Sequence, residues 1–219
     1  MGWFFSWVVI LTGRVQETIA KCGAQTAMKT KPALQICLLA IAAASPSFAL
    51  AQANDGARAA EAFEVVRSVL QHPRCANCHI PEDAPRQLDS GRPHQMNVQR
   101  GKSGFGAVAM ECATCHGQEN LPAGYGLHVP PGAPGWHLPP PETKMVFVDV
   151  SPAQLCATIK DKAATRGKDL PAMLAHNRDD KLVGWGWNPG LGRNPVPIPR
   201  EQFVAAFKAW MDLGAPCPR

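Results

Sequence analysis

The sequence carries Cys-x-x-Cys-His twice, as Cys75-Ala76-Asn77-Cys78-His79 and Cys112-Ala113-Thr114-Cys115-His116. Two thiols three positions apart can form thioethers to the two vinyl groups of one porphyrin, and the adjacent imidazole can then bind its iron. The pentapeptide is therefore the attachment signature of a c-type haem. It predicts two covalently bound haem c groups, with Cys75, Cys78, Cys112 and Cys115 as thioether residues and His79 and His116 as proximal ligands. The competing chemistry is a single tetrahedral zinc held by four thiolates. With 7 His in 219 residues, a histidine following both pairs by composition alone is about a one-in-a-thousand coincidence, which favours haem.

What such a centre does turns on the second axial position of each iron. A His-Met pair raises the potential, a bis-His pair lowers it, and an open site permits ligand binding or catalysis. The distal candidates are, in order, His94, His137, His176 and His72. His94 lies on a Pro-flanked loop between the motifs, and Met96 on the same loop is the best methionine. His137 sits between Trp136 and a proline run, and His176 ends a short helical pattern. His72 stands only three residues before Cys75, which suits it better to a neighbouring haem than to its own. His128 reads equally as an ordinary loop residue. The segment Trp185-Gly-Trp187-Asn-Pro-Gly190-Leu-Gly-Arg193 joins two indoles and an arginine on a glycine-rich loop. Its rings can cover a haem face or fill the core, and Arg193 or Arg178 can pair with propionates.

The elements that must position these groups read as helices separated by irregular chain. An Ala-rich helix is expected from a cap at Asn54 or Asp55 to Gln71, with Ala59, Phe63, Val66 and Leu70 on one face. Residues 81–109 and 121–141 are rich in Gly and Pro without sustained period and read as loops around haem edges. Ser151-Pro152 opens a helix with Leu155, Cys156 and Ile159 as its apolar face. A short helix is expected from Leu170 to His176. A last one starts at Pro199, carries Phe203, Phe207, Trp210 and Met211, and stops at Gly214. The predicted fold is mainly α with extensive irregular loops and no substantial sheet.

Ahead of these elements, Met28 begins an export signal. Lys29 and Lys31 are basic, Leu34 to Ala44 is an apolar run, and small residues allow cleavage after Ala51 or Ala53. Residues 1–27 read as a misassigned N-terminal extension, 28–53 as the signal peptide and 54–219 as one dihaem domain. A membrane anchor over Trp3 to Leu11 is the competing reading, but about ten apolar residues fall short of the roughly 20 that span a bilayer. Cys37 lies inside the apolar run without the small residues that precede a lipidated cysteine. No later segment is expected to span a membrane. The thiols outside leader and haem motifs, Cys156 and Cys217, are expected to form one disulfide in an oxidising periplasm. Residues 54–219 hold 18 Lys plus Arg against 16 Asp plus Glu, with no basic run of the kind that tracks nucleic acid.

Both haem motifs and the ending Trp210-x-x-x-Gly-Ala-Pro-Cys217-Pro make the chain resemble the exported dihaem cytochromes c. The interval from His94 to Cys112 also looks like that in the small dihaem subunit of periplasmic nitrate reductases, where such a histidine is a distal ligand and the haems stack closely. The chain departs from that pattern: it lacks a histidine well upstream of the first motif and adds about 100 residues after the second. Pro73-Arg74-Cys75-x-Asn-Cys-His and Trp-Gly-Trp-x-Pro-Gly are similar to segments of the cytochromes that accompany isoquinoline 1-oxidoreductase-type molybdenum hydroxylases. These resemblances imply a cytochrome c-like dihaem domain that transfers single electrons between a periplasmic dehydrogenase, or another cytochrome, and a downstream acceptor. The alternative from a different class is a small haem enzyme, a peroxidase or a nitrogen- or sulfur-oxide oxidoreductase, with one open iron.

Overall fold

Ala59, Phe63, Val66 and Leu70 recur at the spacing that turns one helical face inward, and all four are buried on the helix α1, residues 54–70. The computed structural model describes residues 54–219. The residues read above as an N-terminal extension and a signal peptide lie outside the described residues. Residue 54 is already helical, so neither Asn54 nor Asp55 caps α1, which ends one residue before the expected Gln71.

After α1 comes α2, Pro73–Ala76, a single turn that opens the first motif. The following loop holds a two-residue ladder of β1, Arg86–Gln87, and β2, Arg92–Pro93. A second ladder joins β3, Gly106–Ala107, to β4, Met110–Glu111, immediately before Cys112. Both ladders are antiparallel, and with no more than two residues per strand they act as pins for loops. Apart from them, the regular structure of the described residues is helical, as the composition and periodicity predict.

The C-terminal half supplies α3, Pro152–Lys160, α4, Leu170–Asp179, α5, Lys181–Gly184, and α6, Arg200–Asp212. Ser151 caps α3 through a capping box with Gln154, and Pro152 takes the first turn, where its missing N–H is not needed. Asp169 caps α4, which runs three residues past the expected His176 because nothing before Asp180 breaks it. Asp180 then accepts from the N–H groups of Leu182 and Val183 at 2.8 and 3.0 Å and starts α5. Residues 185–187 therefore form a helical turn where a loop was expected. Pro199 caps α6, and Gly214 ends it at φ 88°, a left-handed conformation that glycine adopts without a Cβ penalty.

These helices share one core. Phe63 of α1, Leu155, Cys156 and Ile159 of α3, Met173 of α4, and Phe203, Phe207 and Trp210 of α6 are among its buried members. Met211, expected on that face, is only partly buried. Trp210 packs 5.2 Å from Phe63 and 5.5 Å from Phe207 between ring centroids, which locks the last helix against the first. The Cys156–Cys217 disulfide ties α3 to the tail beyond α6. Closing a loop of 61 positions stabilises the fold by about 4 kcal/mol on the chain-entropy model. No helix among the described residues is long and apolar enough to cross a membrane.

Candidate functional site

Each Cys-x-x-Cys-His folds into a helical turn, and the same hydrogen bond closes both. The His79 N–H donates to the Cys75 carbonyl at 3.2 Å, and the His116 N–H donates to the Cys112 carbonyl at 2.9 Å. Positions i, i+3 and i+4 share one face of such a turn, so two thiols and an imidazole point the same way. The first turn is begun by Pro73 and by His72, whose Nδ1 accepts from the Arg74 N–H at 3.3 Å. The second is placed by the β3–β4 pin, where Phe105 accepts from the Cys112 N–H at 2.9 Å. Gly106 allows that approach: a Cβ there would stand 2.6 Å from the Met110 carbonyl oxygen and 2.9 Å from the Cys112 nitrogen.

Both proximal imidazoles are held by a backbone carbonyl. His79 Nδ1 donates to Met145 at 2.9 Å, and His116 Nδ1 donates to Pro131 at 2.7 Å. A carbonyl only accepts, so each Nδ1 carries the proton and each Nε2 presents a free lone pair, the arrangement that orients a metal-bound histidine. Burial pushes both imidazoles down to about 4, against the opposing pull of those carbonyls, so both are neutral at neutral pH. Flat rings cover them: Phe147 stacks on His79 at 3.9 Å and Trp136 on His116 at 4.3 Å. Met145 adopts φ 47°, a strained conformation at the carbonyl that steers His79.

The two turns open into two cavities. Cys75, Cys78 and His79 line one of about 190 Å³, and Cys112, Cys115 and His116 line one of about 390 Å³. Burial in the first cavity pushes the thiols of Cys75 and Cys78 up to about 12 and about 11, keeping them protonated. Arg74, Cys78, Trp136, His137 and Trp185 belong to both linings and form a wall common to the two cavities. Trp136 and Trp185 meet edge to face there at 4.9 Å. Among the described residues no three His, Cys, Asp or Glu side chains converge as a metal-ion site, so the four thiols do not form the tetrahedral cage that zinc requires.

His94 faces His116 inside the second cavity, with ring centroids 6.1 Å apart and planes at 61°. At that separation the two imidazoles could hold one metal ion between them, each bonding it at about 2 Å. His94 Nδ1 donates to the Gln95 carbonyl at 2.7 Å, which leaves its Nε2 free as well. In the first cavity, His176 shares the lining with His79. Its Nδ1 lies 3.4 Å from Asp180 Oδ2. Met173, one turn earlier on α4, lines the same cavity but is also a member of the core.

The other candidates fall elsewhere. His137 stands in the common wall, stacked on Phe105 at 4.9 Å with Nδ1 on the Gly135 carbonyl. His72 lines neither cavity, because its ring is spent capping α2. Met96 and His128 line the second cavity but are exposed, Met96 by 75 %. Of the two arginines expected near propionates, Arg193 lines the second cavity, whereas Arg178 is paired with Asp179 on the surface and lines neither. Trp187 donates to the Ile198 carbonyl at 2.6 Å and packs against Phe203 at the core, while Trp185 belongs to the wall.

Sequence reasoning passed over two buried arginines. Arg74 precedes the first motif directly, and that position was its only signal. Arg100 is 1 % exposed and donates to the carbonyls of Ile80, Glu82 and Pro139, pinning the loops that follow the first motif. Nothing in its sequence neighbourhood marks that role. The donor set therefore fits two haems: paired thiols, free Nε2 atoms on steered imidazoles, and apolar cavities side by side. No family model, curated protein or solved structure matches the chain.

Proposed function

We propose that this chain is an exported dihaem cytochrome c that relays single electrons between a dehydrogenase and a downstream acceptor. The observation that carries the reading is the pairing of His94 with His116 across one cavity at 6.1 Å, beside a second Cys-Cys-His cavity that shares its wall. An iron closed on both sides by imidazole has no open coordination position, which favours electron transfer over catalysis. When bound, a haem in each cavity supplies the Fe(III)/Fe(II) couple, a one-electron chemistry that the side chains lack.

The chain's own residues do the rest. Cys75, Cys78, Cys112 and Cys115 anchor the groups covalently, so they are not lost to solution. Met145 and Pro131 hold the proximal rings through Nδ1, and Gln95 holds the ring of His94 in the same way. Trp136 and Trp185 give the wall between the cavities a pair of packed aromatic rings. The shared wall sets the two cavities next to each other, which favours rapid exchange between the centres. Such redox partners meet through small transient interfaces, below about 1,200 Å². A disulfide between α3 and the tail fits an oxidising, extracytoplasmic compartment.

Electron paramagnetic resonance of the oxidised holoprotein tests the reading. Two low-spin ferric signals are expected, on a protein whose mass includes two haems. A dominant high-spin signal overturns it in favour of a haem enzyme with an open iron.

A second experiment assigns the first cavity. His176→Ala should convert the His79-bound centre to high spin, because its imidazole lines the same cavity as His79. Met173→Leu should leave the spectrum unchanged and cost less than about 1.5 kcal/mol, as volume-conserving core changes do. The opposite pattern would make Met173 the ligand.

A further inference from the structure

Arg74 is a buried cation at the junction of the two cavities. Its side chain is 1 % exposed and it lines both of them. Nη2 reaches Asp89 Oδ1 at 2.5 Å, and the guanidinium carbon lies 5.6 Å from the Trp185 ring centroid. Asp89, its counter-ion, is 40 % exposed, so solvent screens much of that charge.

Two donors on this stack have no partner. Arg74 Nε and Trp185 Nε1 are both buried and unbonded. Leaving a buried donor unsatisfied is costly, and more so on a cation. Both residues face cavities whose linings are otherwise mainly apolar. A carboxylate fits such a place: it only accepts, and a planar guanidinium offers it a rigid fork of N–H groups.

We infer that Arg74 and the Trp185 indole N–H form a carboxylate-binding subsite in the common wall, which receives a haem propionate and places one positive charge within reach of both irons. The inference rests on the dihaem reading above. A cation near an iron centre favours its reduced form, since reduction removes one positive charge from the centre. Because Arg74 lines both cavities, it raises both reduction potentials together and is a positioning and tuning residue, not a ligand. Asp89 opposes it with the opposite charge.

Spectroelectrochemical titration of the holoprotein tests this, after mass measurement has shown two haems in each variant. Arg74→Gln should lower both potentials, by about tenfold in the equilibrium constant for reduction, which is about 59 mV for a one-electron couple. Asp89→Asn should move both potentials the other way. Arg74→Lys keeps the charge and should stay close to the parent in potential, which a purely structural role would not predict. Unchanged potentials in Arg74→Gln, a shift confined to one haem, or a fall in Asp89→Asn overturns the inference and leaves the dihaem reading intact. Parent protein without two haems overturns both. Should Arg74→Gln fail to accumulate, Asp89→Asn and Arg74→Lys decide the matter by the same criteria.

Discussion

His94→Ala protein should lose one of its two low-spin ferric signals and gain a high-spin one. The ring of His94 stands 6.1 Å from that of His116, lines the same cavity and has its Nε2 free. Alanine cannot reach the metal, and the exposed loop offers poor substitutes. Met96 is 75 % exposed and held at φ 65°, in a conformation that already strains it. Loss of a strong imidazole ligand should also raise the potential of that centre, since bis-His ligation lowers it. Added free imidazole should restore the low-spin signal, which separates a missing ligand from a misfolded loop. His137→Ala is the control: its ring belongs to the wall and stacks on Phe105, so both low-spin signals should persist. An unchanged spectrum in His94→Ala would remove that residue from the coordination sphere.

The largest expected loss of stability comes from Trp210→Ala. Trp210 is fully buried between Phe63 and Phe207, and its Nε1 donates to the Pro216 carbonyl at 2.9 Å. That bond sits next to Cys217, so the indole fastens both α6 and the disulfide-bearing tail. Removing a buried tryptophan side chain costs about 3–5 kcal/mol, a large part of the roughly 5–15 kcal/mol that stabilises a domain. At about 2–4 °C per kcal/mol for a chain of this size, thermal unfolding of the holoprotein should begin roughly 10 °C lower. Trp210→Phe keeps most of the apolar contact and should lose markedly less. Trp210 lines neither cavity, so both variants should keep the parent spin states below their unfolding transitions. A spectral change at low temperature would refute that separation of core from site.

Particular elements show how far local information reached. The Ser151 cap with Pro152 behind it, the apolar face of α3 and the stop at Gly214 follow from residues within a few positions of each other, and the structure has them as expected. The cap of α1 was misread because Asn54 and Asp55 suit a cap in isolation, although residue 54 already lies within the helix. Asp180 was overlooked as the start of α5, so Trp185 and Trp187 were placed on a loop instead of a helical turn. His72 illustrates a deeper limit. A histidine near a haem motif reads as a ligand, yet its ring nitrogen accepts a backbone N–H two residues on, which no spacing rule distinguishes.

The Cys-x-x-Cys-His turns depend on one hydrogen bond from the fifth residue to the first, and that bond, with the side-chain face it creates, is local. So the sequence determined which thiols and which imidazole share each turn, and the helical character of the elements around them. Tertiary packing decided the partners at distance: that His94 stands across from His116, that His176 shares a cavity with His79, that Arg74 rather than Arg178 is the arginine at the wall, and that the two cavities adjoin. Those pairings join residues tens of positions apart through irregular chain, where no period records which side chain faces which. They arise only when Arg100, the β3–β4 pin and the aromatic contacts of Trp136 and Phe147 fold the loops onto the helical core.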